Sequence, residues 1–137
     1  MNVIVDTNII ARVFTGVDED VEQKKIVLKL FKQFDEVIIP THVFCELTWT
    51  LISRYKFQRE QVLFALKEFL QISKIVCKED EVEAGLAMLR KGGDFADGVN
   101  EYTGRQMSRG ATVFASFDKK AVGLLTERGI PAMIPQL

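Results

Sequence analysis

Apolar residues in this chain follow two alternating rhythms: short unbroken runs rich in Val and Ile, and longer stretches where they recur every three or four positions. Val3–Val5 is the first short run and ends at Asp6. A helix follows to Phe14, with Thr7 expected as its cap and Gly16 as its stop. Asp18 is expected to open a second helix, with Val21, Ile26, Leu30 and Phe34 at helical spacing. Val37–Ile39 is the next strand, closed by Pro40, and Thr41 is expected to cap the helix V-F-C-E-L-T-W-T-L-I-S-R-Y. Another helix spans about Gln58 to Gln71, and Lys74–Cys77 is a third strand. Glu79–Arg90 reads as a helix stopped by Lys91-Gly92-Gly93, and Asp94 to Arg109 as a helix with an acidic first turn, as the helix dipole favours. Thr112–Ala115 is a fourth strand, Lys119–Arg128 a helix closed by Gly129, and Ala132–Ile134 a last strand.

Short apolar strands alternating with helices predict a parallel sheet covered on both faces. No repeat, low-complexity tract or linker interrupts the pattern, so a single domain over 1–137 is expected. A chain of 137 residues is long enough to bury roughly two-thirds of its unfolded surface around one core. The 47% apolar and 27% charged residues are those of an ordinary soluble protein, and no apolar run has the length of a membrane span. M-N-V-I-V-D lacks the pattern of a secretory leader, and Cys45 and Cys77 read as buried free thiols; both point to a reducing, cytoplasmic setting.

A net charge of −1 weighs against bulk affinity for nucleic acid, which rests on Lys and Arg. Basic residues nevertheless gather at Lys24, Lys25, Lys29 and Lys32, at Arg54, Lys56 and Arg59, and at Arg105 and Arg109. Each group reads as a solvated helix face or as part of a basic rim around an acidic centre.

The acids carry the sharper signal. Sites in open parallel sheets form beyond the carboxyl ends of the strands. Asp6 follows the first strand, Glu46 lies early in the helix after the second, Asp94 and Asp97 open the helix before the fourth, and Asp118 follows that strand. Taken singly, Asp6, Asp94 and Asp118 read as turn or capping residues. Glu46 is the only acid or base between Val43 and Ile52, amid Phe44, Leu47, Trp49 and Leu51. If buried there, its carboxylate costs several kcal/mol unless a cation, a proton or several donors compensate it; otherwise it points outward from a half-exposed face. With one histidine and no cysteine pattern for zinc, an all-oxygen set implies Mg²⁺ or Mn²⁺. Clustered carboxylates repel, so some are expected to titrate high. The matching chemistry is phosphodiester hydrolysis, with a carboxylate available to accept a proton from water.

Together these motifs resemble the PIN-domain superfamily over essentially the whole chain and, within it, the toxin ribonucleases of VapBC-type toxin–antitoxin modules. V-I-V-D-T-N is similar to the family's opening strand, which implies Asp6 as a metal ligand with Thr7 and Asn8 supporting it. I-I-P-T-H-V-F-C-E-L resembles the second motif and implies Glu46. D-F-A-D-G resembles the third, implying Asp97 as principal ligand and Asp94 as auxiliary; A-S-F-D-K-K-A resembles the fourth, implying Asp118 with Ser116 in the hydroxyl position. The sequence departs from the family after Asp97, where G-V-N-E-Y-T-G, with Glu101 and Gly104, replaces a more alanine-rich helix. The resemblance implies a three-layer α/β/α fold: a central four- to five-stranded parallel sheet flanked by about seven helices. It also implies a catalytic set of Asp6, Glu46, Asp97 and Asp118, a Mg²⁺-dependent endoribonuclease acting on tRNA or other structured RNA, a homodimer, and silencing by a VapB-type antitoxin. Trp49, Tyr55, Phe57 and Phe64 are expected to be mostly core, with some left for an interface. Three alternatives stand beside this reading: a degenerate PIN domain that binds RNA or protein without cutting, a phosphatase or phospho-acceptor domain, and a DNA nuclease. Against the second, V-D-T-N lacks the D-x-D of an aspartyl phosphatase, and no Lys is securely placed after a late strand. Against the third, the chain has no appended helices to thread DNA.

Overall fold

The computed structural model describes residues 1–15 and 21–136, so the expected stop at Gly16 and start at Asp18 lie outside the described residues. The elements, in chain order, are β1 (Val3–Ile4), α1 (Thr7–Phe14), α2 (Val21–Gln33), β2 (Val37–Ile38), α3 (Thr41–Ser53), α4 (Arg59–Phe69), β3 (Ile75–Val76), α5 (Glu79–Arg90), α6 (Phe95–Met107), β4 (Phe114–Ala115), α7 (Lys119–Glu127) and β5 (Ala132–Met133). Among the described residues this is a mixed α/β chain of seven helices and five strands, and every strand pair is parallel. It forms two compact units, Met1–Glu79 and Asp80–Leu137.

In the first unit the strands run in the order β1-β2-β3, with Val3 opposite Val37 and Val37 opposite Ile75. Parallel neighbours need a crossover, and the helices supply it: α1 and α2 between β1 and β2, α3 and α4 between β2 and β3. Val37 of the central strand and Ile39 just beyond it are almost wholly buried, as are Ile10 of α1, Phe44, Leu47 and Leu51 of α3, and Val62 and Leu66 of α4. Phe14 and Phe69 add a tilted aromatic contact, their centroids 5.4 Å apart.

Two expected caps are corrected. Asp6, not Thr7, caps α1: its backbone is extended and its carboxylate accepts the Thr7 N–H at 2.7 Å. Pro40, not Thr41, occupies the cap position of α3, so Thr41 is that helix's first residue. Proline suits this boundary, because its fixed φ leads into a helix and no N–H is left over.

The end of α3 is unusual. Tyr55 N–H bonds to Thr50 O at 3.2 Å and Phe57 N–H to Leu51 O at 2.9 Å, and between them Lys56 takes a left-handed conformation with φ 60°. A side chain there costs about 1 kcal/mol that glycine avoids. Lys56→Gly is therefore expected to stabilise the protein by roughly 0.5–1 kcal/mol, seen as a higher urea midpoint at unchanged slope. An unchanged or lowered midpoint would show that Lys56 is not strained.

In the second unit β4 pairs with β5, Phe114 opposite Ala132, and α7 makes the crossover. Met88, Ala121 and Leu125 form a buried cluster, with Phe114, Leu124, Ile130 and Ala132 packed on it. Gly92 (φ 95°) and Gly129 (φ 76°) stop α5 and α7 in left-handed turns, as the sequence predicted. Helices α5 and α6 approach closely: a Cβ on Gly98 would lie 2.5 Å from Ala84 O, and one on Gly85 would lie 2.5 Å from the Phe95 ring. Glu101, only 7% exposed, is held by Arg105 in a two-point ion pair of 2.9 and 3.1 Å, so the acid that departs from the family pattern has a partner within its own helix.

The aromatic residues depart from expectation. Trp49 and Phe64 stand 64% and 68% exposed, while Tyr55 and Phe57 are half-buried. Cys45 and Cys77 carry thiols rather than a disulfide, as expected, but are only partly buried; burial, and secondarily Glu79, pushes the Cys77 thiol up. Among the described residues no helix is long and apolar enough to cross a membrane.

Candidate functional site

The expected site residues fall into one group in each unit. In the first, Val5 is buried and its N–H bonds to Ile38 O at 3.2 Å, which carries the chain past the carboxyl end of β1 and leaves Asp6 exposed at the sheet edge. Glu46 lies in the second turn of α3, the helix that follows β2. The Thr7 hydroxyl donates to Glu46 Oε2 at 3.0 Å, and Asp6, Thr7, Asn8 and Glu46 line one open cleft of ≈ 250 Å³. The sequence brought these four residues together by motif alone; the structure does so by geometry.

The burial argument for Glu46 does not survive. Val43, Phe44, Leu47, Thr48 and Leu51 are the buried positions of α3, whereas Glu46 is exposed along with His42 and Trp49. Its carboxylate is solvated and pays no large desolvation cost. What distinguishes Glu46 is its bond to Thr7 and its place on the cleft.

The same cleft holds Arg12 of α1 and Thr50 and Tyr55 of α3 and its end, which the sequence did not place in the site, and Arg54, which the sequence offered as a solvated helix face or part of a basic rim. Arg12 donates from Nε to Gln23 Oε1 at 2.7 Å and from Nη1 to the Tyr55 hydroxyl at 3.2 Å. A usable signal was present, since Glu46, Thr50 and Arg54 are spaced by four and therefore share a helix face.

In the second unit Asp94 caps α6, accepting the Ala96 N–H at 2.8 Å. Asp97 lies one turn on and is half-buried. Desolvation, then the charges of Asp94 and Asp118, raises the Asp97 carboxyl above its ordinary value of 3.8. Asp118 caps α7, accepting the N–H groups of Lys120 and Ala121 at 3.0 and 3.1 Å. Ser116 fixes the turn before it: its hydroxyl accepts the Asp118 N–H at 3.0 Å, while its own N–H bonds to Met133 O. Asp94 and Asp118 thus have the capping roles that the sequence allowed them.

Among the described residues, within neither unit do three Asp, Glu, His or Cys side chains converge as a ready metal cage. Mg²⁺ rarely needs one, because it usually keeps several waters and binds through one or two carboxylates plus substrate phosphates. Asp6 and Glu46, with a hydroxyl beside them and no thiolate or imidazole on the cleft, fit that hard-cation pattern.

Carboxylates gathered at the carboxyl edge of a parallel sheet define the class to which this chain is compared. Residues 3–122 match the family model described as the PIN domain. The chain therefore belongs to the PIN-domain family, whose members are usually nucleases that use divalent metal ions. Comparison with curated proteins and with solved structures yields no match.

Proposed function

We propose that this protein is a Mg²⁺- or Mn²⁺-dependent endoribonuclease, formed as a single PIN domain over 1–137 and acting in the cytoplasm as the toxin of a VapBC-type pair. The observation that carries the reading is the cleft shared by Asp6 and Glu46 in a chain that matches the PIN domain from residue 3 to residue 122.

Asp6 and Glu46 would hold a divalent ion, Thr7 orienting Glu46 through its hydroxyl and Asn8 lying on the same wall. When bound, such an ion neutralises charge on the phosphodiester and assists the activation of water. Asp97 and Asp118 are assigned to the same reaction by their motifs, with Asp94 as an auxiliary acid. Asp97 has the raised proton affinity that suits a group taking a proton from water. Ser116 keeps Asp118 in its turn. A homodimer using exposed Trp49 and Phe64, and inhibition by an antitoxin whose Arg pairs with the carboxylates, complete the proposal.

The test is incubation of the purified protein with tRNA, single-stranded DNA and a generic phosphate monoester, in Mg²⁺ and in EDTA. Cleavage of RNA alone, present in Mg²⁺ and lost in EDTA, is the expected result. RNA binding with no cleavage in either Mg²⁺ or Mn²⁺ would make this a non-catalytic PIN module. Release of phosphate from the monoester without RNA cleavage would make it a phosphatase.

A further inference from the structure

The cleft that holds Asp6 and Glu46 is electrically polarised, and its second end has no part in the chemistry above. Along α3 its lining residues are Glu46, Thr50 and Arg54, so carboxylate and guanidinium stand two turns apart on one face, about 12 Å along the axis. Among the described residues the Arg54 side chain makes no hydrogen bond and no ion pair; its guanidinium carbon lies 5.7 Å from the centre of the Tyr55 ring. Tyr55 is held in turn, its hydroxyl accepting from Arg12 Nη1 while Arg12 Nε is fixed by Gln23 of α2. The Tyr55 hydroxyl therefore keeps its own proton to donate. The left-handed turn at Lys56 follows directly, where a residue strained by about 1 kcal/mol closes α3 at this cleft.

We propose that Arg54 and the Tyr55 hydroxyl form a phosphate-binding subsite that holds the RNA backbone next to the phosphate being cut, with Arg12 positioning Tyr55. The assignment rests on the nuclease reading, since it takes the acidic end of the same cleft as the reaction centre. Two features favour a nucleic-acid phosphate over an acidic side chain. A planar guanidinium beside a hydroxyl donor matches the several acceptor oxygens of a phosphate. A strand of evenly spaced phosphates also reaches both ends of a cleft about 12 Å long, which one carboxylate does not.

The experiment measures binding of a short fluorescent single-stranded RNA in EDTA, so that no cleavage is required, across a salt series. Arg54→Ala is expected to weaken binding about tenfold at low salt, the scale of a hydrogen bond to a charged group. It should also flatten the slope of log affinity against log salt by about 0.7, one phosphate's worth. Arg54→Lys should restore the slope but not all of the affinity, and Tyr55→Phe should weaken binding without changing the slope. Lys67→Ala removes the same charge from an exposed position on α4 and is expected to do little. If Arg54→Ala unfolds, as judged by circular dichroism, Arg54→Gln replaces it.

Unchanged binding on loss of the Arg54 charge, or an equal loss in Lys67→Ala, overturns the subsite while leaving the nuclease reading intact. Arg54-dependent RNA binding in a protein that never cleaves sustains the subsite and overturns the nuclease. A wild-type protein that binds an Asp/Glu-rich peptide through Arg54 but binds no RNA overturns both.

Discussion

Asp97→Asn is expected to move activity and stability in opposite directions: RNA cleavage in Mg²⁺ falls at least a hundredfold, while the metal-free protein becomes slightly more stable at neutral pH. The loss of activity follows from the assigned role, because even partners one shell outside a metal ligand typically cost 10–100-fold when removed, roughly the lower bound for a ligand or base. The gain follows from the electrostatics. Desolvation and the charges of Asp94 and Asp118 raise the Asp97 carboxyl, so the folded state disfavours its ionised form. Above the raised folded value the native protein bears that penalty; as the pH falls through it toward the ordinary 3.8, the carboxyl protonates and the penalty disappears. Asparagine carries no charge at any pH, so its advantage is present at neutral pH and fades on acidification. Because Asp97 is only half-buried and solvent screens it, the gain is less than about 1 kcal/mol. Thermal melts at pH 7 and pH 4 in EDTA check the sign. Asp6→Asn is the matched control: asparagine caps a helix about as well as aspartate, so activity should fall with stability nearly unchanged. Full cleavage in both variants would refute the assignment of these acids. An Asp97→Asn protein less stable at pH 7 than at pH 4, relative to wild type, would refute the electrostatic account.

Elements with strong periodicity and clear stops were the most legible in the sequence. Glu79–Arg90 was read to the residue, because Gly92 follows it with the φ that only glycine takes freely. Asp6 was placed correctly at a strand end, since a β-rich run followed by Asp-Thr leaves few alternatives. Capping was open to both Asp6 and Thr7, an ambiguity inherent in adjacent residues that both cap well, and Asp6 takes it. For Glu46 the sequence left burial and an outward-pointing face both open, and the outward one holds. Phe44, Leu47, Trp49 and Leu51 around it favour burial, yet positions 42, 46 and 49 follow the i, i+4, i+7 spacing of a single face, and that face is exposed. The basic end of the cleft was legible only in the spacing of Glu46, Thr50 and Arg54. It depends on Arg12 of α1 reaching Tyr55 beyond α3, and on a left-handed turn at a lysine, a residue that carries no signal for one.

Gly98→Ala should be among the most damaging single-methyl changes available to this chain, although it exchanges a poor helix former for the best one. The added Cβ would lie 2.5 Å from Ala84 O, 2.7 Å from Met88 Cβ and 3.2 Å from the Ala84 carbonyl carbon. Two of these three atoms are backbone of α5, so no rotamer change relieves the clash and the two helices must separate. Overpacking of this kind costs about 1–3 kcal/mol and more where backbone must move, against a propensity gain of about 1 kcal/mol. A net loss of up to about 2 kcal/mol follows, and more where the backbone must move, measured as a lowered urea midpoint. Gly104 supplies the comparison from the same helix, since a Cβ there meets nothing within 4 Å. Gly104→Ala should therefore gain up to about 1 kcal/mol, with a sign opposite to that of Gly98→Ala. The contrast separates the two glycines of G-V-N-E-Y-T-G that mark this chain's departure from the alanine-rich family helix: the first is required by the approach of α5 and the second is only tolerated. Asp97 immediately precedes Gly98, so parting the helices also shifts that carboxylate. Gly98→Ala should then depress cleavage more than its loss of folded protein explains, under conditions where most of the variant is still native. A Gly98→Ala protein as stable as wild type would mean that α5 and α6 do not pack as closely as the 2.5 Å approach requires.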